Sequence, residues 1–173
     1  RALESQKQTP LIHDPMAAWS LERLQTLVTS RDEKALLFDR RLSPALTMYI
    51  ALRARKYDAI TNAFIAQNPS CLVVNLGCGF DTRYWRIDHE RCRYVELDLP
   101  EMVELKKHVL GERLSFEMIG SSVLDRTWME KVDAGSDGRT LLLAEGLPIP
   151  AVSARLGHAH AGVKVADVID IVP

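Results

Sequence analysis

The strongest constraint on the fold of this chain is an apolar segment that runs directly into a glycine-containing loop. Residues 71–76 read Cys-Leu-Val-Val-Asn-Leu, and Gly77 and Gly79 follow at once. The four apolar residues that open this segment predict a parallel strand buried on both faces. The glycines allow a tight turn that brings backbone N–H groups against a ligand, as in sites for nucleotide-type cofactors. A dinucleotide fingerprint has a third glycine at position 82, where this chain has Thr82, so no pyrophosphate site is predicted.

A second predicted strand ends in an acidic residue. Residues 93–98 read Arg-Tyr-Val-Glu-Leu-Asp, and Asp98 lies about 20 residues beyond the glycines, the spacing at which a carboxylate can bind both ribose hydroxyls. Strand alternation puts Glu96 on the same face, so either residue could be the ribose ligand. We favour Asp98 because ligands of open α/β sheets bind at the carboxyl ends of strands. An alternative role for these acids is to cap the helix that opens at Pro100.

Three segments together resemble one enzyme family. They are residues 73–86, with the string Gly-x-Gly-x-Asp-Thr-Arg, residues 96–100 (Glu-Leu-Asp-Leu-Pro) and residues 141–146 (Leu-Leu-Leu-Ala-Glu-Gly). This pattern resembles the leucine carboxyl methyltransferase family, which also includes small-molecule O-methyltransferases of the tetracenomycin polyketide type. The resemblance runs from about Pro10 to Gly146 and implies S-adenosylmethionine as the cofactor.

The resemblance assigns roles to individual residues. It implies that Arg53 grips the cofactor carboxylate and that Asp98 binds the ribose. The further positions implied at the cofactor are Gly77, Gly79, Asp81, Thr82, Arg83, Ser122, Val123 and Glu145. On the residues alone, Arg53 could instead belong to a solvated helix face, and the segment 81–83 could cap the helix after the loop.

Two departures from the family pattern affect this site. Ser122 occupies the position of the family's adenine-contacting aspartate, and Asp125 is kept three residues later. A serine hydroxyl can still accept a hydrogen bond from the adenine amine. Pro148 and Pro150 occupy the positions of a leucine and of a tyrosine that lies next to the reacting centre in the family. That tyrosine hydroxyl is therefore missing here.

Periodicity predicts an α/β fold. Apolar residues at helical spacing indicate helices over 16–28 and 44–67, the second begun by a Ser-Pro pair. Strands are expected at about 71–76, 93–98, 114–119 and 140–144, with helical stretches near 81–86, 100–110 and 126–132, and a surface loop at 133–138. Alternating strands and helices predict a Rossmann-like class I methyltransferase sheet with helices on both faces and an N-terminal helical extension.

We expect a single methyltransferase domain over residues 1–173. Its parts would be an N-terminal helical part (1–70), a cofactor-binding core (71–150) and a divergent tail (151–173). The family fold implies about three strands after the fourth, whereas only Val163–Val172 could supply one. We therefore expect an incomplete C-terminus, with a natural polypeptide that is longer than this sequence.

Composition excludes several classes of protein. The chain is 47% hydrophobic and 26% charged with a formal net charge of −1, which fits a globular domain and argues against a nucleic-acid partner. No apolar run approaches the ~18 residues of a membrane span, and no secretion signal is visible. The cysteines at 71, 78 and 92 have the spacing of neither a disulfide framework nor a zinc site, so a cytoplasmic location is expected.

The sequence thus predicts an O-methyltransferase that acts on a carboxylate or hydroxyl of a small metabolite, or on a protein C-terminal carboxylate. The metabolite is favoured. Such a site chiefly aligns the acceptor and excludes water, so no catalytic side chain is predicted. No metal site is predicted either, because His158 and His160 lack a third ligand. The alternatives are a non-catalytic cofactor-binding or scaffold protein and, less favoured because of Thr82, a nicotinamide-dependent oxidoreductase.

Overall fold

The computed structural model describes residues 1–38, 42–132, 139–144 and 164–169. The chain divides into two compact units, the first formed by Arg1–Ala59 with Phe80–Arg86 and the second by Ile60–Gly79 with Ile87–Pro173. The expected single domain with parts divided at 70 and 150 stays a prediction.

Helices form the framework of the first unit. Within the described residues they are α1 (Ala2–Ser5), α2 (Pro15–Leu27), α3 (Arg31–Phe38) and the first part of α4 (Pro44–Gln67). Helices α2 and α4 confirm the predictions at 16–28 and 44–67. Helices α1 and α3 were not predicted, because four and eight residues carry too little periodicity to be recognised. No helix in the described part of the chain is both long and apolar enough to cross a membrane.

Capping side chains explain where the two longer helices begin. Asp14 Oδ1 accepts a hydrogen bond from the backbone N–H of Ala17 at 2.9 Å. Ser43 Oγ accepts one from the backbone N–H of Leu46 at 3.1 Å. A proline follows each cap. The caps bind N–H groups that have no partner within the first helical turn, and proline suits this turn because it lacks the N–H.

The second unit is built on a parallel sheet. Its described strands are β1 (Cys71–Leu76), β2 (Cys92–Asp98), β3 (Glu117–Gly120), β4 (Arg139–Ala144) and β5 (Lys164–Ile169). They pair in the order β3-β2-β1-β4-β5, and each pairing is parallel. This is the strand order of a doubly wound Rossmann-type sheet. The predicted α/β fold is confirmed, and β5 lies inside the segment predicted as a further strand.

Within the described residues, α5 (Pro100–Leu110) connects β2 to β3, and α6 (Thr127–Lys131) connects β3 to β4. Strand β3 begins at Glu117, later than the predicted residue 114, since its pairing with β2 starts at Val95 and Glu117. The helical stretch expected near 81–86 is a 3-10 turn at Arg83–Arg86, which belongs to the first unit. The loop expected at 133–138 lies outside the described residues.

Strand alternation divides the side chains of the second unit between two faces of the sheet. One face carries an apolar core that includes the buried Trp128 and Met129 of α6. The core residues are Leu72, Val74, Leu76, Val95, Leu97, Ile119, Trp128, Met129, Val132, Leu142 and Ala144. The intervening positions Asn75, Tyr94 and Glu96 point to the opposite face, where Glu96 contacts Lys106 of α5. The buried charge of Glu96 thus lies on the face of β2 opposite the apolar core.

Leu97→Ala should lower the free energy of unfolding by about 2–5 kcal/mol, because it leaves a cavity in the core of the central sheet. Leu97 is fully buried, whereas Leu99 is 54% exposed. The matched control Leu99→Ala should change stability by less than about 0.5 kcal/mol. Denaturant unfolding measures both, and equal losses in the two variants would contradict this placement of the core.

Candidate functional site

The loop after β1 is bound to the end of β2 by backbone hydrogen bonds. Gly77 and Gly79 adopt φ angles of 62° and 47°, in the left-handed region that glycine enters without strain. The N–H groups of Gly77 and Cys78 donate to the carbonyl oxygen of Leu97 at 2.8 and 3.4 Å. A Cβ added at Gly79 would meet nothing within 4 Å, so backbone conformation, and not crowding, requires glycine there.

Asp98 holds the other end of this loop. Its Oδ2 accepts a hydrogen bond from the N–H of Gly79 at 2.6 Å, and its Oδ1 accepts one from the N–H of Leu99 at 2.8 Å. The residue is partly exposed at the carboxyl end of β2. Each carboxylate oxygen has two lone pairs, so Asp98 keeps acceptor capacity for a ligand hydroxyl while it binds the loop. Its role as the ribose ligand stays a prediction that this geometry favours.

Glu96, the alternative ribose ligand, is occupied elsewhere. It is fully buried, and its Oε2 accepts a hydrogen bond from Lys106 Nζ at 2.5 Å. Its Oε1 accepts one from Tyr94 Oη at 3.2 Å. A ribose could reach Glu96 only if this buried pair opened, and breaking such a pair is costly. Sequence reasoning missed Lys106, since a lysine in an amphipathic helix is usually solvated.

Ser122 and Val123 follow β3 in the same unit. Ser121 N–H donates to the carbonyl oxygen of Asp98 at 2.9 Å, which joins the ends of β2 and β3. Ser122 Oγ accepts from the N–H of Leu124 at 3.2 Å, while the residue stays partly exposed. Val123 packs against the apolar core, and its carbonyl oxygen accepts from Trp128 Nε1 at 3.3 Å. The carboxyl ends of three strands thus bring together the two glycines, Asp98, Ser122 and Val123.

The Asp-Thr-Arg string belongs to the first unit, where its side chains contact each other and neighbouring helices. Asp81 Oδ1 accepts from the backbone N–H groups of Thr82 at 2.8 Å and Arg83 at 3.2 Å, which is the capping role considered above. Thr82 Oγ1 donates to Asp14 Oδ2 at 2.6 Å. Arg83 is fully buried, with Nη1 at 2.9 Å from Asp81 Oδ2 and Nε at 3.0 Å from Asp58 Oδ1.

Arg86 completes a buried ion cluster, which we define as Asp14, Asp58, Asp81, Thr82, Arg83 and Arg86. Arg86 Nη1 lies 2.6 Å from Asp14 Oδ2, and Arg86 Nε lies 2.7 Å from Asp58 Oδ2. Burial alone would lower the pKa of Arg86, but hydrogen bonding to Asp58 and the nearby carboxylates raise it, so the charge is kept. Asp14 and Asp58 were missed by sequence reasoning, because nothing in their local pattern indicates partners so distant in sequence.

The structure describes Arg53 but not Glu145. Arg53 is partly buried on α4 in the first unit, with its guanidinium carbon 5.8 Å from the centre of the Tyr49 ring. Its assignment to the cofactor carboxylate stays a prediction. Glu145 lies outside the described residues, as do Pro148 and Pro150.

The cysteines are free thiols with raised pKa values. Burial, together with the Glu96 carboxylate, raises the pKa of Cys78, which lies between the two glycines. Burial also raises the pKa of Cys92 to about 12. A thiol that stays protonated is a poor nucleophile, so Cys78 fits the predicted role of a small filler. The described residues contain no group of three or more potential ligands for a metal ion.

Asp58→Asn should lower the free energy of unfolding by about 3 kcal/mol, because it removes the charge that two buried arginines share. The matched control is Asp88→Asn, which affects a surface pair with Arg91 at 3.5 Å in which both side chains are 48% exposed. That control should cost less than about 1 kcal/mol. Thermal and denaturant unfolding would measure both, and a neutral Asp58→Asn would show that the ion cluster does not stabilise the fold.

Residues 1–147 match the family described as Leucine carboxyl methyltransferase. The "Tetracenomycin polyketide synthesis O-methyltransferase TcmP" of Streptomyces glaucescens is 32% identical over 153 residues, covering 85% of this chain and 51% of that protein. The "Leucine carboxyl methyltransferase 1" of Debaryomyces hansenii is 39% identical over 74 residues, covering 41% of this chain and 20% of that protein.

Likeness to solved structures is looser. An O-methyltransferase family protein from Burkholderia thailandensis aligns with a TM-score of 0.44 and 15% identity, covering 94% of this chain and 54% of that chain. The present chain spans about half the length of TcmP. Because the family match takes in residues 1–147 of 173, including the glycine loop and Asp98, the chain belongs to the leucine carboxyl methyltransferase family.

Proposed function

We propose that this chain is the cofactor-binding part of an S-adenosylmethionine-dependent O-methyltransferase. The observation that carries the proposal is the hydrogen bond from the Gly79 N–H to Asp98 Oδ2 at 2.6 Å, which joins the loop after β1 to the end of β2. It lies at the carboxyl ends of parallel strands, where open α/β sheets bind ligands. Family membership supports the identity of the cofactor.

The residues at the carboxyl ends of these strands suit different parts of the cofactor. Asp98 would accept hydrogen bonds from the ribose hydroxyls, and the exposed backbone at Gly79 would let a ligand approach closely. The Ser122 hydroxyl would contact the adenine amine, next to Val123. For Arg53, which lies on α4 in the first unit, the family resemblance implies binding of the cofactor carboxylate through its planar fork. The bound cofactor supplies an electrophilic methyl group on a sulfonium, and the protein aligns the acceptor with it and excludes water.

For the acceptor we propose a carboxylate or hydroxyl of a small, polyketide-like metabolite. The match to TcmP, which covers 85% of this chain, supports a small molecule over a protein terminus, since the match to Leucine carboxyl methyltransferase 1 covers 41%. A carboxylate acceptor is already ionised at neutral pH, so it requires no general base. A protein C-terminal carboxylate is the alternative acceptor.

A non-catalytic cofactor-binding or scaffold protein is the second candidate function. Pro150 in place of the family tyrosine favours it. Calorimetric titration with S-adenosylhomocysteine and with NAD tests the cofactor, and transfer of a labelled methyl group to candidate acids and phenols tests catalysis. Binding of NAD alone would refute the methyltransferase proposal, and cofactor binding without transfer to any acceptor would favour the second candidate.

Partners and location follow from composition. A net charge of −1 argues against a nucleic-acid partner, since binding to phosphates requires basic residues. Three free cysteines, all with raised pKa values, suit a reducing compartment, where unpaired thiols persist. We therefore propose a cytoplasmic protein whose partner is its small-molecule substrate.

Asp98→Ala should weaken binding of S-adenosylhomocysteine by roughly 1.5–3 kcal/mol, the usual contribution of hydrogen bonds to a charged group. The matched control is Glu101→Ala, which removes an exposed carboxylate from the first turn of α5 and should leave binding unchanged. Isothermal titration calorimetry measures both. Equal affinities for wild type and Asp98→Ala would remove Asp98 from the site.

Arg53→Lys should also weaken binding of S-adenosylhomocysteine, because an ammonium group cannot form two parallel hydrogen bonds to a carboxylate. We expect a loss of about 1–2 kcal/mol. Arg55→Lys is the matched control, since Arg55 is exposed on the same helix. If both variants bind like wild type, Arg53 belongs to a solvated helix face.

A further inference from the structure

A chain of buried polar side chains lies on the face of the sheet opposite the apolar core, next to β1 and β2, the strands that lead into and hold residues 77–79 (the cofactor loop). Asn75 Nδ2 donates to Tyr94 Oη at 3.2 Å, and Tyr94 Oη donates to Glu96 Oε1 at 3.2 Å. Lys106 Nζ donates to Glu96 Oε2 at 2.5 Å. We call Asn75, Tyr94, Glu96 and Lys106 the Glu96–Lys106 network. It links β1, β2 and α5 within the second unit.

A buried charged pair need not add stability to a fold. Removing two charges from water costs several kcal/mol per ion, and apolar side chains of similar volume often replace a buried pair without loss of stability. Glu96 and Lys106 are both fully buried. A hydrogen-bonded pair does fix geometry, because each bond forms only at certain distances and angles between the two side chains.

Residues 77–79 lie next to the network at Cys78. This residue is 7% exposed, and its N–H donates to the carbonyl oxygen of Leu97, the neighbour of Glu96 on β2, at 3.4 Å. Burial and the nearby Glu96 raise the pKa of the thiol, so Cys78 stays a neutral donor. The next two residues of β2 also hold the loop, through the carbonyl oxygen of Leu97 and the carboxylate of Asp98.

We propose that Glu96 and Lys106 are positioning residues for the cofactor: Lys106 orients the Glu96 carboxylate, Glu96 holds the Cys78 side chain, and Cys78 fixes the backbone of residues 77–79 that the ligand approaches. Neither Glu96 nor Lys106 touches the ligand. The proposal rests on the cofactor-binding role proposed above. It adds residues that act through the loop, and it explains why Cys78 is buried over a carboxylate without being a nucleophile.

The double variant Glu96→Gln/Lys106→Met separates positioning from stability. Each single change leaves one buried partner without its counter-charge, so each should lower the thermal midpoint. The double variant removes both charges and should recover most of the midpoint. It should nevertheless bind S-adenosylhomocysteine about 10-fold more weakly than wild type, because the loop is no longer held. A double variant that binds as tightly as wild type would overturn the proposal.

Substitution of Cys78 tests whether its side chain links Glu96 to the backbone of residues 77–79. Cys78→Ser keeps a hydrogen-bond donor to Glu96 and should retain most of the affinity, whereas Cys78→Ala removes the donor and should weaken binding about as much as the double variant. Equal affinities for the two Cys78 variants would overturn the role of the thiol.

The surface control for the double variant is Arg93→Met/Glu117→Gln, which removes a 2.6 Å pair on β2 and β3 whose side chains are 40% and 42% exposed. Affinity in the control should stay unchanged.

Amide hydrogen exchange at residues 77–79, measured without any ligand, distinguishes this proposal from the proposed function. Exchange should be faster in the double variant and in Cys78→Ala than in wild type, and unchanged in the surface control. If wild type binds no S-adenosylhomocysteine but exchange still responds in this way, the positioning role of the network holds and the proposed function fails. If exchange at residues 77–79 is the same in all variants, the positioning proposal fails, whether or not the cofactor binds.

Discussion

The candidate site depends on the parallel pairing of β1 with β2. In this register Leu76 lies opposite Leu97, so the chain leaving β1 meets the last residues of β2. The N–H of Gly77 then reaches the Leu97 carbonyl oxygen, and the N–H of Gly79 reaches the Asp98 carboxylate. A shift of one residue would turn Asp98 to the opposite face of the sheet. The register therefore decides both the shape of the loop and the position of the acid.

Both units bury charge, and in each the charges are paired. In the first unit the buried ion cluster surrounds Arg83, which is fully buried between Asp58 and Asp81. In the second unit Lys106 pairs with Glu96. An unpaired charge at either place would be strongly destabilising. The family string Asp-Thr-Arg thus has a structural use within its own unit, separate from the cofactor contacts that the resemblance implies for it.

Local sequence patterns accounted for the elements whose signals are short-range. The apolar start at Cys71 predicted β1, the Ser43–Pro44 pair predicted the first residue of α4, and the acid ending β2 predicted Asp98 as a binding residue. Each signal depends on neighbouring residues, through burial on both strand faces, capping of free N–H groups, or position at a strand end. The start of β3 was placed too early, because its pairing with β2 starts only at Glu117 and the ends of a strand are weakly marked in the local sequence.

The sequence by itself determined the α/β class and the glycine-containing turn at residues 77–79, because these follow from periodicity and backbone freedom along one stretch of chain. Only the tertiary structure showed that Glu96 is buried against Lys106 of α5 whereas Asp98 contacts the N–H of Gly79, although both acids lie on one strand face. The partners of Arg83, Arg86 and Lys106 were likewise decided by folding. A buried ion pair joins residues that are distant in sequence, and no local pattern records which carboxylate the fold will bring to a given cation.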